Sequence, residues 1–500
     1  MAGKTKKEVK PQSSLGRRSF WTYSLGGIGR DMSYALYSNY LLTFILFTKN
    51  LTDGQFAAIS TIMVVCRIWD AVNDPVMGVI IENTHTKFGK FKPWIMIGVI
   101  TNSVVLVTLF SSRLSGWGFV VFFAIMYLLW DITYTMNDIS YWSMMPALTS
   151  NMKERNNLSS AANLFAGLGS ILTMAFVPML TAGENTIGGD AITGYTVVTV
   201  FIAICFIGCQ TMTCAGVKEH NRNVKSEESV GLKKLVKIIF KNDQLLWVAL
   251  VMLVYNLGGA IITGLGTNYI YFQYGYDGSL VTTFVILFGA ASGIIMALYP
   301  FLSARFTRQF LLKIAITMVV TGYLAIFVAA FFSASFYILC AMGLIIGLGQ
   351  STFYMVITIN IANTVEYNEW KTGSRNEGII FSIRPFMAKM GSALQSLVVM
   401  IVYLALGVTN ITNAISDAEN SVSKGLIDEA QKLEQIEGVL AAVPENTTLY
   451  MRACMVFVPI VLMLAAYIIL KKKCTIDEKK YDAMLADIAA KKQAQEPVNK

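Results

Sequence analysis

The 500-residue chain is 55% hydrophobic and only 14% charged, with a formal net charge of +9 and seven cysteines, whereas soluble domains carry about 25% charged residues. That balance excludes an ordinary soluble enzyme and indicates a membrane protein. The surplus lysine and arginine fall in loops beside apolar runs, which fits attraction to anionic membrane lipid and implies no nucleic acid.

From the N terminus, the tail carries Lys4, Lys6, Lys7, Lys10, Arg17 and Arg18. These lead directly into a full-length apolar run, the pattern of a retained first span and not of a cleaved leader. Runs of roughly 20 residues, enough to cross about 30 Å of hydrocarbon, recur at 20–47, 55–82, 93–111, 118–147, 158–182, 193–216, 244–272, 279–302, 309–332, 335–363, 377–407 and 449–470. They predict an all-α protein with twelve transmembrane helices. Basic residues border the even-to-odd connections, among them Lys87, Lys90, Lys92, Lys153, Arg155, Lys233, Lys234, Lys237, Arg305 and Arg308, and Lys471, Lys472 and Lys473 follow the last run. Basic loops stay cytoplasmic, so both termini are expected there.

Span one places Arg30 and Asp31 inside the membrane, and span two places Arg67, Asp70 and Asp74 there. A charge at the bilayer centre costs at least roughly 2.5 to 3.5 kcal/mol on insertion scales, so carboxylates in an apolar helix need a compensating role. Asp70 and Asp74 are four residues apart and share one helix face, about 6 Å from each other, and Asn73 lies on that face too. Two carboxylates and an amide oxygen supply hard ligands for a small monovalent cation; alternatively one carboxyl keeps a proton because like charges repel. Asn73 favours sodium, since an amide oxygen can ligate a metal ion but adds nothing obvious to proton binding. The helix then runs into a basic loop with Lys87, Lys90 and Lys92.

Span four reads WDITYTMNDISYW. Tyr134, Asp138 and Tyr141 or Trp142 recur at intervals of three and four, so a carboxylate and aromatic rings share a face, a combination suited to sugars. The plainer reading of Trp142 and Trp130 is interfacial anchoring. Asp131 adds a fifth acid from the first half, and span eleven adds Arg384 and Lys389. The acids outnumber the two basic residues beside them, so structural ion pairing alone does not account for the cluster.

The charged segment 217–243 separates an N-terminal half at 20–216 from a C-terminal half at 244–470, with a basic tail at 1–19 and a further tail at 471–500. A weak repeat supports the division: GVIIENTHTKFGKFKPW after span two is echoed by YPFLSARFTRQFLLK after span eight. Two parallel six-helix repeats with a site at their interface are the major facilitator architecture. In the outer loop 408–448, Ile415, Ala418, Val422, Leu426, Ala430, Leu433, Ile436 and Leu440 recur at helical spacing with acids between them. One amphipathic outer helix is expected, either a cap over the outer mouth or a solvated insertion. In the tail, Thr475 and Glu478 have capping-box spacing, and Tyr481, Met484, Leu485 and Ile488 form one stripe, predicting a cytoplasmic helix against the linker or the inner membrane surface.

The cysteines are unevenly spaced, lie mostly inside spans and read as packing residues. No HExxH, GxSxG or GxxxxGK[ST] occurs, so proteolysis and nucleotide-driven pumping lack their parts, and no resident cofactor is expected.

RIWDAVNDPVMG with KFGKFKPW, TYTMNDISYWS, NTVEYNEWKTGSRNEGIIFS, AKMGSA and YDAMLADI together resemble the glycoside–pentoside–hexuronide:cation symporter family over nearly the whole chain. The resemblance implies a major facilitator fold in the bacterial plasma membrane and uptake of a sugar with Na+, Li+ or H+. It also implies that Asp70 and Asp74 hold the cation, assisted by Asn73 and Thr135. Arg30, Asp31, Tyr134, Asp138 and Trp142 would line the sugar pocket, with Lys389 facing the acids from the other half and Tyr354 on span ten. Two positions depart from a known member's pattern: Asn163 stands where it has an arginine, and Tyr354 where it has a tryptophan. Arg384 is an added charge, to be read either as a fork for a uronate carboxylate or as a partner of Asp131 or a carbonyl. Lys87, Lys90 and Arg308 are expected to gate the cytoplasmic side by charge contacts between halves. Rival readings are a sodium-coupled carrier of lysophospholipid, marked by lysolipid binding without glycoside binding, and a non-transporting sugar sensor, marked by binding without counterflow.

Overall fold

The computed structural model describes residues 15–84, 86–149, 151–217, 242–332, 335–373, 380–381, 383–476 and 478–495. The helices are α1 (Arg17–Thr48), α2 (Asp53–Glu82), α3 (Lys92–Phe110), α4 (Gly116–Leu148), α5 (Met152–Thr181), α6 (Ala191–Gly216), α7 (Asp243–Tyr274), α8 (Gly278–Arg305), α9 (Arg308–Phe332), α10 (Phe336–Thr372), α11 (Ile383–Ala405), α12 (Val408–Ser423), α13 (Glu429–Ala441), α14 (Glu445–Lys473) and α15 (Glu478–Gln495). Ten of them, α3 to α11 and α14, are long and apolar enough to cross a membrane among the described residues. Helices α1 and α2 are longer than most of these, at 32 and 30 residues, but they carry the buried charges that lower their mean hydropathy.

Polar caps set several starts. Thr52 and Gln55 form a capping box at α2, with Gln55 N donating to Thr52 Oγ1 at 3.3 Å and Thr52 N donating to Gln55 Oε1 at 3.0 Å. Asp190, Asn242 and Asp277 cap α6, α7 and α8 through their side chains, satisfying backbone N–H groups that have no partner within the helix.

Helix pairing in the first group, α1 to α6, recurs in the second, α7 to α11 with α14. The pairs α1–α5, α1–α6, α2–α4, α3–α4 and α3–α6 have counterparts in α7–α11, α7–α14, α8–α10, α9–α10 and α9–α14. The groups meet along α2–α11, α5–α8 and α1–α7. Close backbone approach within the first group needs small residues: a Cβ on Gly169 of α5 would sit 2.3 Å from the Ile28 carbonyl oxygen of α1.

The amphipathic segment after α11 is two helices and not the single one that its periodicity predicts. The break falls where Gly425 adopts φ 69°, a conformation that costs glycine little, and Leu426 is 72% exposed there instead of joining the apolar stripe. Nor is the pair a solvated insertion. Ile415, Ser416, Ala418 and Ile436 are buried, and α12 packs on α1, α6 and α11. Side chains of α12 bind the loop after α1: Leu51 N donates to Asn413 Oδ1 at 2.9 Å, Asn413 Nδ2 to Leu51 O at 2.8 Å, and Asn50 Nδ2 to Asp417 Oδ1 at 2.8 Å. Thr409 Oγ1 donates to Asp53 Oδ1 at 2.6 Å. This end of the bundle is called the hairpin end below, and the other, where α1 begins and α14 ends, the terminal end.

At the terminal end, α15 packs on α10, with Met484 buried beside Tyr367 and Trp370 and Trp370 Nε1 donating to Asp487 Oδ2 at 3.2 Å. Among the described residues its packing partner is α10. The linker itself falls on 218–241, outside the described residues.

Candidate functional site

Asp70 and Asp74 lie on one face of α2, as their spacing requires, and α4 brings Thr135 to them. Thr135 Oγ1 is 3.3 Å from Asp70 Oδ1 and 3.4 Å from Asp74 Oδ1, donating to one carboxylate at a time. From α11 the Lys389 ammonium reaches Asp74 Oδ2 at 2.5 Å and Asp70 Oδ2 at 2.9 Å. An ammonium, a hydroxyl and two carboxylates from three helices thus share one locus on the α2–α11 seam. Asn73 is buried beside it, and its Nδ2 has no hydrogen-bond partner among the described residues.

One turn further along α4, Asp138 faces the α1 pair. Arg30 is 3% exposed; its Nη2 donates to Asp31 Oδ2 at 2.6 Å, and its Nη1 lies 3.0 Å from Asp138 Oδ1. The guanidinium also lies 4.7 Å from the Trp142 ring centroid and 4.8 Å from that of Tyr141, distances at which cation–π attraction operates. Of the two aromatic candidates, Trp142 is the open one. Tyr141 is fully buried against Tyr23, the hydroxyl of each donating to the other's carbonyl at 2.6 and 2.8 Å. Tyr134 stacks on Trp130 at 4.8 Å between ring centroids. Asp138 keeps 35% of its side chain open, and Asp74 keeps 37%, so the carboxylates that face the cations also remain within reach of a solute.

Arg384 corrects an expectation. It is exposed, and its Nε donates to the Tyr354 hydroxyl at 2.8 Å while its guanidinium stacks 5.4 Å from that ring. Among the described residues its partner is Tyr354 and neither Asp131 nor a carbonyl, because the α10 aromatic fills the space beside it. Asp131 is 1% exposed, and neither of its carboxylate oxygens has a hydrogen-bond partner among the described residues. Lys87 is exposed in the loop after α2, the Lys90 ammonium lies 5.4 Å from the Phe91 ring, and Arg308 opens α9. Asn163 is exposed and bonds within α5, to Ser159 O at 2.8 Å.

Toward the hairpin end from Lys389, a cavity of about 290 Å³ lies between the groups. Ser38, Asn39, Ser170, Thr263, Asn268 and Gln395 contribute polar walls, and the buried Asn268 Oδ1 has no hydrogen-bond partner among the described residues. Hydroxyls and amides drawn from α1, α5, α7 and α11 suit a hydroxyl-rich solute. Most of these residues are single polar positions in apolar helices, and no local motif marks them in the sequence.

A buried pair in the hairpin was also missed. Glu419 of α12 and Lys432 of α13 are 3.7 Å apart, with both side chains fully shielded. Glu419 Oε2 accepts from Ala191 N at 2.7 Å, and Lys432 Nζ donates to Gly189 O at 2.6 Å. Together they clamp the hairpin onto the start of α6. The one available signal was a lone lysine in an acidic helix.

Several solved structures share this fold. A bacterial homolog of the human lysosomal transporter Spinster, inward-facing and occupied, aligns with a TM-score of 0.61 at 16% identity, covering 91% of this chain and 96% of that one. A D-xylose–proton symporter aligns at 0.57 and 12% identity, covering 86% and 98%. Among relatives in sequence, a lactose permease of Lactobacillus helveticus is 26% identical over 497 residues, which is 95% of this chain and 72% of the relative. A lactose permease of Lactobacillus delbrueckii subsp. bulgaricus is 30% identical over 410 residues, 78% of this chain, and the match spans 63% of that relative's length. An isoprimeverose transporter of Lactiplantibacillus pentosus is 26% identical, covering 77% of this chain and 80% of the relative. These matches identify a transporter, not an enzyme, and a multi-pass protein of the bacterial plasma membrane. The family model for MFS/sugar transport proteins matches residues 22–471, and the chain belongs to that family, among the glycoside–pentoside–hexuronide:cation symporters that its sequence motifs resemble.

Proposed function

We propose that the chain is a symporter that imports a sugar together with one monovalent cation, Na+ in this reading, by alternating access between two six-helix halves. In this reading α1 and α2 also cross the membrane, which makes twelve spans, the termini are cytoplasmic and the hairpin end is outside. The recurrence of helix pairing between the two groups supports the division into halves, and matched relatives named for lactose, raffinose and isoprimeverose support a sugar substrate.

The single observation that carries the coupling is Lys389, held by both α2 carboxylates from across the seam. A sodium ion that takes its place among Asp70, Asp74 and Thr135, with Asn73 beside them, releases a tether between halves. Asp31, Asp70, Asp74, Asp131 and Asp138 outnumber Arg30, Arg67 and Lys389 by two, so the set keeps a negative excess that attracts a cation. On α4, Thr135 at the cation and Asp138 at the sugar are three residues apart, so a shift of that helix carries one occupancy to the other. Asp31 and Asp138 accept the sugar's hydroxyls, Arg30 orients both acids, and Trp142 and Tyr134 offer faces to the C–H side of a pyranose. Lys87, Lys90 and Arg308 act at the cytoplasmic gate.

Coupling of this kind is reciprocal and amounts to about 1 to 3 kcal/mol, so Na+ and sugar each tighten the other's binding about five- to 150-fold. The test is uptake into proteoliposomes of lactose, raffinose, isoprimeverose and a uronide, under a Na+ gradient and without one. Sodium-stimulated uptake of at least one sugar, lost in Asp74→Asn, is expected. Stimulation that survives both Asp70→Asn and Asp74→Asn overturns the cation assignment.

A further inference from the structure

The hairpin of α12 and α13 is spliced between α11 and α14 of the second group, yet its side chains bond mainly to the first. Among the described residues outside the hairpin, α12 packs on α1 and α6 and on its own chain neighbour α11. Besides the bonds to Asn50, Leu51 and Asp53, Asn420 Nδ2 donates to Thr48 O at 3.3 Å, so the whole turn between α1 and α2 is engaged. At the start of α6, Glu419 and Lys432 hold Ala191 N and Gly189 O. A Cβ on Gly189 would lie 3.6 Å from Val422 Cγ1, which puts α12 in van der Waals reach of that turn. From the second group, Tyr276 after α7 faces Glu419.

Under the alternating-access reading, on which this inference rests, the two groups separate at this end in one half of the cycle. The covalent links give the hairpin little slack. Leu406 and Gly407 alone separate α11 from α12, and a two-residue link spans at most about 7 Å when fully extended. That link is also taken up in a tight turn: Leu406 N donates to Val402 O at 3.0 Å and Gly407 N to Leu404 O at 3.3 Å, with Gly407 at φ 63°. When α11 and α14 draw away from α1 and α6, the hairpin follows them, and its bonds to the α1–α2 turn and to Gly189 and Ala191 break together. The joint is suited to release. Asn50 and Asp417 are exposed, and water replaces an exposed hydrogen bond at small net cost. The hairpin also has structure of its own, with Asp428 and Gln431 forming a capping box at α13 and Lys432 facing Glu419 on the other arm, so it returns to its seat as a unit. We propose that the α12–α13 hairpin is a latch: docked, it holds the hairpin end shut, and it leaves the α1–α2 turn and the start of α6 each time that end opens.

Two arms test the latch. In the first, Thr409→Ala/Asn413→Ala removes the bonds to Leu51 and Asp53, and Ser170→Cys in the 290 Å³ cavity reports opening through its labelling by a membrane-impermeant thiol reagent applied from the hairpin side. Each lost hydrogen bond contributes about two- to ten-fold, so labelling at least about ten-fold faster than in Ser170→Cys alone is expected. Thermal unfolding in detergent establishes that the variant folds, and unchanged labelling overturns the latch. In the second arm, Asn50→Cys/Asp417→Cys, at positions whose side chains meet at 2.8 Å, is joined by a short bifunctional thiol reagent that contains a reducible bond, beside each single variant treated in the same way. Uptake is expected to fall to background in the joined protein alone and to return when reductant cuts the bridge. Full uptake with the bridge intact means that the hairpin stays docked throughout the cycle, and overturns the proposal. A parent that takes up no sugar overturns the transport reading by itself, and the labelling arm still decides whether the hairpin holds this end shut.

Discussion

Lys389 and Asp74 are 315 positions apart in sequence and meet at 2.5 Å, which makes the ammonium both a competitor for the cation locus and a clasp on the α2–α11 seam. These two roles separate in Lys389→Gln. Removing a positive charge from between two carboxylates strengthens the field that a sodium ion meets, so Na+ is expected to bind at least about tenfold more tightly, a change of about 1.4 kcal/mol. The tether is lost at the same time, and the mutual tightening of Na+ and sugar falls toward none. Titration calorimetry of Na+ with and without sugar measures both quantities. Weaker Na+ binding in the variant is the result that sinks this account, because it makes the lysine a support of the site and not its occupant.

Arg384 leads to a prediction about specificity. Its Nε is taken by the Tyr354 hydroxyl and its plane is held on that ring, which orients the two terminal nitrogens as a fork. A bidentate carboxylate contact at an exposed site contributes on the order of 1 to 2 kcal/mol. Arg384→Ala is therefore expected to lower uronide affinity about ten-fold relative to the matching neutral glycoside, and Tyr354→Phe to lower it less. Equal effects on neutral and uronic substrates count against a carboxylate role for Arg384.

The sequence carried the cation face because that face is local. Asp70 and Asp74 are on one helix four residues apart, and helical geometry places them together whatever the rest of the chain does. Asp138 and Lys389 stand out as charges inside apolar spans, but Thr135 was legible only through the family pattern, and the contacts that join the three to α2 and α1 cross between helices. The hairpin shows what periodicity misses. Its apolar positions continue from Ile415 to Leu440 at one spacing, and nothing in that spacing says that Gly425 interrupts the helix, although a glycine between polar residues is where a break costs least. Glu419 and Lys432 read as surface charges because charged side chains are seldom fully buried. Contacts from outside the hairpin, Gly189 and Ala191 at the start of α6 and Tyr276 after α7, make them interior. The contact of Arg384 with Tyr354 is hidden for the same reason, because its partner on α10 lies thirty residues away.

The α5–α8 contact at the hairpin end is close enough to test closure. Thr282 Oγ1 donates to Ala175 O at 2.5 Å, Gly278 N to Ala182 O at 3.3 Å, and a Cβ on Gly278 would stand 1.8 Å from the Pro178 carbonyl oxygen. The obstacle is backbone, so it cannot rotate away. Gly278→Ala is expected to hold the hairpin end apart, raising the labelling rate of a cysteine introduced at Ser170, in the 290 Å³ cavity, by a membrane-impermeant thiol reagent at least about ten-fold above the native-cysteine background. Uptake should fall in parallel. Unchanged labelling with full uptake means that this crossing relaxes without opening the seam.

The last prediction concerns pH and the hairpin. Burial pushes the Glu419 carboxyl up to about 7; Lys432, the Ala191 N–H and the Tyr276 hydroxyl oppose that rise, and the Asp190 carboxylate adds to it. In the undocked hairpin the same group returns toward the ordinary glutamate value, near 4.3. The docked state therefore binds the proton more tightly, and docking takes up a proton between those two values. By linkage, docking is strongest below the lower value, weakens as pH rises toward 7, and changes no further above it. The full difference is about 4 kcal/mol. Nitroxides at the exposed positions Leu426 and Leu114, on the hairpin and on the facing loop, report the docked fraction by their distance distribution. That fraction is expected to fall between pH 5 and pH 7.5 in the parent. Glu419→Gln alone mimics the protonated carboxyl and is expected to hold the docked fraction near the parent's low-pH value at every pH. Glu419→Gln/Lys432→Gln removes both charges and should give a docked fraction that no longer varies over this range. A fraction that rises with pH in the parent, or a pH response that persists in the double variant, removes Glu419 as the titrating group.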